Sequence, residues 1–506
     1  FFFLIFLHIQ FVLFSQTGPG GVGSTVNNIL WLSANDITGL SNGADVLNWP
    51  DLSGNGNAVS QPNASFSPVY ITTVLNGLSV VRFNKTNNRI RKVGLSKADQ
   101  SSLSSSQLSV IYVNKTSNTT SNDALLSYSD GYMLVNSANL TYEMSSHNYT
   151  TGQAFNDDEF HVTGFSYLLN FPSDSLDFWK DGVFSRIHEP NNPGIFDQPT
   201  INDGGTLAIG GLQGSSDSGY TAATAFEGDF AEVIIYDDTL NAAKMTIIIN
   251  YLAAKYNLPI SNDFYDYQGI HAHDVAGVGR ASSGEEHTES ISAGVLGIES
   301  GSGLNADGEY LMFGHDNADF TSWTTTEAPN GDSNSQRMAR EWRLDETGEL
   351  GTVTIEIETA QLPTLPQDHS MYALMVDTDG DFSSGAKVYQ ATGNSGSIYT
   401  YEIDVHDGDY LSIAAVNPTL TQSIVDFTGT EYDDLFIDAE INYVPIVDQL
   451  VNVTTSDVTA TAGIDYEALN ENITFPAGIT SANYRIKINQ DLISESDETF
   501  TVTLSN

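Results

Sequence analysis

The residues of this chain best placed to do chemistry are acids close to its C-terminus. They sit in Thr459-Ala-Thr-Ala-Gly-Ile-Asp465-Tyr466 and in Asp491-Leu-Ile-Ser-Glu495-Ser-Asp497-Glu498-Thr-Phe500, with Ile473-Thr-Phe-Pro-Ala-Gly478 between them. Carboxylates gathered in turns at strand ends supply hard oxygen donors, the ligand type that calcium selects. The elements that must position them are short. Val451/Val453, Ile473/Phe475, Tyr484/Ile486/Ile488 and Phe500/Val502/Leu504 each alternate with polar neighbours. A period of two gives each run one apolar face, and four such runs separated by Gly, Pro, Asp and Ser turns predict a β-sandwich.

The order and spacing of these segments resemble a Calx-beta domain, an Ig-like β-sandwich module, over residues 422–506. The resemblance implies calcium as cofactor. Carried over position by position, it implies Asp465, Asp491, Glu495 and Glu498 as metal ligands. Gln490, Leu492 and Ser496 dilute a stretch that is often richer in Asp in the family. The plain alternative is that these acids are solvated loop charges.

Residues 28–260 read as one long β-domain followed by a helix. Short apolar runs such as Leu108-Ser-Val-Ile-Tyr-Val113 and Glu227-Gly-Asp-Phe-Ala-Glu-Val-Ile-Ile-Tyr236 are bounded by turn residues, and Asp181-Gly182 signals a tight hairpin. Met245, Ile248, Ile249, Leu252 and Tyr256 fall on one helical face, with Asn241 as cap and Pro259 beyond the stop. Three pieces resemble the laminin-G-like, concanavalin A-like jelly rolls of secreted bacterial proteins: Leu30-Trp-Leu-Ser-Ala34, the Trp49-Pro-Asp51-Leu-Ser-Gly54-Asn55-Gly-Asn57 loop, and the closing strand with Tyr251-Leu-Ala-Ala-Lys-Tyr-Asn257. The resemblance implies two antiparallel sheets with a sugar- or protein-binding face and, in some members, a calcium at the rim. Ala231 stands where the family places a rim carboxylate, which leaves Asp51 and Asp229 as the nearby acids. Asp51 and Asn55 also have the chemistry to hold their own turn through side-chain-to-backbone hydrogen bonds, the preferred reading here.

Residues 263–418 form a second β-rich segment, similar to an uncharacterised domain that follows laminin-G-like jelly rolls in secreted proteins of marine Bacteroidota. Asp377-Thr-Asp379-Gly-Asp381 departs from the EF-hand pattern and reads as a turn. His271, His273, His287 and His315 lack metalloprotease spacing and read as packing residues. Glu356 and Glu358 share a strand face but lack the third acid of a jelly-roll hydrolase. No residue is assigned a catalytic role. Trp179, beside the hairpin turn, is a candidate for stacking on a sugar, against the commoner outcome of burial.

Composition bounds the partners. The 506 residues exceed what one core organises, and 64 Asp and Glu against 18 Lys and Arg give a formal charge of -46. That field repels nucleic acid and anionic membranes and favours cations, neutral sugars or basic partners. With no cysteine, disulfides and thiolate metal sites are excluded. Residues 1–16 read as a signal peptide with its start missing and supply the one apolar run of membrane character. Residues 17–27, with Gly18-Pro-Gly-Gly-Val-Gly23, read as a flexible linker.

The expectation is an all-β, exported, non-catalytic surface or matrix protein for adhesion or for recognition of an extracellular glycan or surface protein. Calcium would neutralise the C-terminal acids and lock neighbouring domains or loops. The alternatives are the carbohydrate-binding or catalytic portion of a secreted polysaccharide-degrading enzyme, and a purely structural spacer.

Overall fold

The computed structural model describes residues 18–84, 90–93, 107–116, 123–128, 132–136, 140–144, 147–168, 175–188, 206–211, 225–329, 334–426, 434–490 and 496–505. The regular structure of the described residues is almost entirely β-strand, with one α-helix, Ala242–Tyr256. Contacts divide the chain into two compact units, residues 1–316 with 345–353 and residues 317–344 with 354–506.

The first unit is built on two large sheets. One runs in the order Val183–His188, Ser175–Lys180, His161–Leu168, Gln107–Lys115, Gly228–Tyr236, Leu78–Phe83, Val69–Leu75, with Asn28–Ser33 also paired to Gly228–Tyr236. The second runs from His147–Thr150 through Asp123–Tyr128 and Thr206–Ile209 to Asn48–Trp49. Alternation along the central strands of the first sheet explains their continuous apolar composition. Val110, Tyr112, Val233 and Ile235 point into the core that also holds Trp49, Leu125, Leu126 and Ile209. Ile111, Val113, Ile234 and Tyr236 point the other way, onto the helix. A strand buried on both faces has no reason to alternate in polarity.

The helix starts where Asn241 accepts a hydrogen bond from Lys244 N–H, and it ends at Asn257 in the left-handed conformation. Met245, Ile248, Ile249, Leu252 and Tyr256 are all buried, as the periodicity predicts. The helix core continues into Tyr265, Val275, Tyr310 and Met312. Residues 18–23 differ from the flexible start that their composition suggests. Pro19, Gly20, Gly21, Val22 and Gly23 are buried, Tyr236 OH donates to Val22 O at 2.9 Å, and a Cβ on Gly21 would meet Ser290 Oγ at 1.9 Å. The missing side chains make room for close approach of the backbone, so here they signal tight packing.

In the second unit, Tyr410–Val416 is the central strand, pairing with Met371–Asp377 and with Ser335–Met338. The C-terminal sandwich has two three-stranded sheets, Leu420–Asp426/Leu435–Ile441/Ser481–Ile486 and Asn470–Phe475/Gln449–Asp457/Phe500–Ser505. Between them lie Val451, Val453, Ile473, Phe475, Tyr484 and Ile486, the alternating residues read from sequence, joined by Leu435, Ile437, Ala439 and Ile441.

Candidate functional site

Backbone hydrogen bonds gather the acid-bearing C-terminal segments at one end of this sandwich. Gln449–Asp457 and Phe500–Ser505 pair with Asp457 opposite Phe500, which puts residues 496–499 beside the turn that follows Asp457. Thr459 and Ala460 both donate to Thr499 O, at 2.9 and 3.0 Å. On the other side, Asn489 N–H donates to Asp465 O at 2.9 Å, and Tyr466 bridges to Ile488. The loops of residues 457–467, 487–490 and 496–499 therefore meet.

Within that end, Asp465 Oδ2 accepts Thr461 N–H at 2.6 Å. Asp457, which the sequence reading passed over, accepts Ala462 N–H at 2.9 Å and the Tyr466 hydroxyl at 2.6 Å through Oδ1. The Tyr466 hydrogen bond, followed by the Ala462 amide, holds the Asp457 carboxyl below its ordinary pKa, so it is ionised. Glu498 lies one residue before Thr499 in the same group of loops. Asp491 and Glu495 lie outside the described residues. Among the described residues, no three acidic or histidine side chains converge as a ready-made metal cluster. The signal that could have found Asp457 is the one that found the others: it is an acid at the point where the apolar alternation of a strand stops.

The acids near the rim of the first unit are committed elsewhere. Asp51 Oδ1 accepts Trp31 and Ser53 N–H, both at 3.0 Å, and Oδ2 accepts Ser53 Oγ–H at 2.9 Å and Asn57 N–H at 2.8 Å. Asn55 donates to the carbonyls of Thr25 and Asn28, so this loop is a turn latched onto Asn28–Ser33. Asp229, buried, is paired through both oxygens with Arg82 at 2.7 and 2.8 Å. Glu232, fully buried beside Ala231, is gripped by Trp31 Nε1 (2.6 Å), Tyr256 OH (2.7 Å), Lys255 Nζ (2.7 Å) and Tyr251 OH (3.1 Å). In the second unit Glu356 is buried, and Glu358 caps a short turn by accepting Ala360 N–H. Asp377 accepts Asp379 and Gly380 N–H in the turn expected there.

A groove of about 750 Å³ lies in the first unit. The hairpin of Ser175–Lys180 and Val183–His188 forms one wall, and residues 239–246 at the start of the helix, Phe264 and Tyr310 line it further. Trp179 is buried, 3% exposed, so it is not the platform that its place beside the turn suggested. Phe184 is the exposed ring, 47% accessible, resting on Trp179 with centroids 5.2 Å apart.

Residues 447–506 match the Calx-beta domain family. Residues 245–409, beginning inside the helix, match a domain of unknown function, DUF8202. Among solved structures, the apo Calx CBD1 domain is similar to the Calx-beta segment, with 27% identity over 15% of this chain and 64% of that one, at a TM-score of 0.13. The chain thus spans just under two thirds of that domain. A SAP-like pentraxin from Limulus polyphemus shows 17% identity over 30% of this chain and 73% of its own, with a TM-score of 0.23. The CBM40 of a Ruminococcus gnavus IT-sialidase, solved with alpha2,3 sialyllactose, shows 14% identity over 28% and 80%, with a TM-score of 0.22. No curated protein matches the chain.

Proposed function

We propose that this chain is an exported, non-catalytic recognition protein, acting at a cell surface or in a matrix on an extracellular glycan or protein, whose Calx-beta segment holds calcium. The observation that carries this reading is the meeting of the loops of residues 457–467, 487–490 and 496–499 at one end of a sandwich. Carboxylate oxygens are the right donors for calcium. Asp457 and Asp465 each use one oxygen within their loop and keep the other without a partner among the described residues. Asp457, Asp465 and Glu498 would hold the ion together with Asp491 and Glu495. Bound calcium would supply positive charge that neutralises mutually repelling carboxylates and ties the loops together.

The recognition half of the proposal draws on the groove, whose two acids are already engaged by neighbours: Asp177 with Arg186, and Glu285 with Ser282 Oγ–H at 2.8 Å. Among the described residues, no helix is long and apolar enough to cross a membrane.

Calcium titration of the purified chain tests the metal site. The unfolding transition of the C-terminal sandwich should move upward with calcium and return with a chelator, as binding to the native state requires. Asp465→Asn and Asp457→Asn should each weaken the response at least tenfold in calcium concentration. A transition indifferent to both calcium and chelator would remove the calcium half of the proposal. Release of reducing sugar from polysaccharide by the purified chain would remove the non-catalytic half.

A further inference from the structure

We propose that the groove beside the Ser175–Lys180 and Val183–His188 hairpin binds a neutral oligosaccharide, with Phe184 as the stacking platform and the Asp177–Arg186 pair reading adjacent hydroxyls. This deepens the recognition reading and rests on it. The volume, about 750 Å³, falls in the range of roughly 300–1,000 Å³ typical of small-ligand sites.

Three features select the ligand. Phe184 is held in place without being hidden. Trp179, its cross-strand neighbour, packs against it at a tilt of 49°, and the Arg186 guanidinium lies over the ring at 5.7 Å from its centroid. A ring kept open to solvent on a rigid base suits the apolar C–H face of a sugar.

Beside the ring, Arg186 and Asp177 form a bidentate pair at 2.6 and 2.8 Å. Such a pair sets planar donors and acceptors side by side in fixed positions, the complement of neighbouring hydroxyls that both donate and accept. Phe264, half-buried in the lining, stacks on the buried Tyr310 with centroids 4.1 Å apart.

Charge excludes the anionic alternatives. Arg186 is balanced by Asp177, Glu285 adds one negative charge, and the chain as a whole carries -46. A sulfated, uronic or sialylated glycan would add negative charge to a lining and a chain that are already net negative.

The experiment is calorimetric titration of the full chain, in calcium, with neutral tetrasaccharides of β-glucan, xylan and mannan type and with sialyllactose as the anionic comparator. At least one neutral tetrasaccharide should bind, sialyllactose should bind at least tenfold more weakly, and Phe184→Ala should weaken the neutral ligand at least tenfold while Phe184→Trp retains it. Because Phe184 is exposed, both variants should keep the parent unfolding temperature, which is measured on the same samples. Unchanged affinity in Phe184→Ala, no neutral sugar bound at millimolar concentration, or preferential binding of sialyllactose would each overturn the assignment. If the sugar result fails while the calcium response of the sandwich persists, the groove assignment is wrong and the calcium site stands. Loss of the calcium response with sugar binding intact separates the two in the other direction.

Discussion

His161 presents both ring nitrogens to carboxylates, Nδ1 to Asp181 at 2.7 Å and Nε2 to Asp157 at 2.9 Å, an arrangement that only the doubly protonated ring satisfies. Burial opposes the charge, but the hydrogen bonds to Asp181 and Asp157 outweigh it and raise the pKa above its ordinary value. A folded-state pKa above the unfolded one stabilises fully below about 6.5, and the contribution is lost as pH rises through the folded value. His287 is the converse. Burial drives its pKa down to about 4 while Nε2 donates to Gly21 O at 3.0 Å. Its neutral form is therefore what the fold requires, so its contribution is complete above about 6.5 and is lost as pH falls toward about 4. Unfolding temperatures of the first unit, followed from pH 4 to 9, should separate the two. His161→Gln should remove part of the decline on the alkaline side and leave the acid side alone, whereas His287→Gln should change the acid side. Identical pH profiles for wild type and both variants would mean that neither ring titrates as its contacts require.

The closing strand Gly228–Tyr236 and the helix after it were legible in sequence because each has one strong period and unambiguous ends, down to the Asn241 cap. The C-terminal strands were legible for the same reason. Residues 18–23 were not, since a run of Gly and Pro records missing side chains without recording what moves into their place. The groove was illegible because its lining comes from residues 175–186, 239–246, 262–264 and 281–310, which only the fold brings together. Glu232 lies between these cases. Its place beside Ala231 was readable, but its burial under Trp31, Tyr251, Lys255 and Tyr256 depends on how the helix crosses the strand. Removing one partner of a buried ion pair strands the other, at a cost of about 3–5 kcal/mol. Lys255→Met, which leaves the fully buried Glu232 carboxylate without its cation, should therefore lower the stability of the first unit by about that amount in urea unfolding. Glu232→Ala should cost less through charge, because the lysine side chain reaches the surface (18% exposed), and its remaining cost is the loss of the acceptor of Trp31 Nε1, Tyr251 OH and Tyr256 OH. Equal and small losses in both would show that the network does not hold helix to strand.

At the scale of the molecule, what calcium can stiffen depends on which end of the sandwich carries the acids. The other end is the one joined to the preceding part of the second unit. Val444 N–H donates to Val388 O at 2.7 Å, Gln390 N–H donates to Val444 O at 3.3 Å, and Tyr443 packs into both neighbouring cores. The strand Gln449–Asp457 leaves this junction and delivers Asp457 eight residues after Gln449, a separation of roughly 26 Å at about 3.3 Å per residue. An ion among the acids would thus act on the far loops and not on this junction. The net charge of -46 favours divalent cations without choosing their position, so hydrogen bonding in the loops makes that choice. Hydrogen exchange of the full chain with and without calcium should show slower exchange in residues 457–467 and 496–499, while 387–390 and 442–445 remain unchanged. Protection of equal size at the junction would mean that the ion acts through the sandwich as a whole, and protection at the junction alone would place the ion elsewhere.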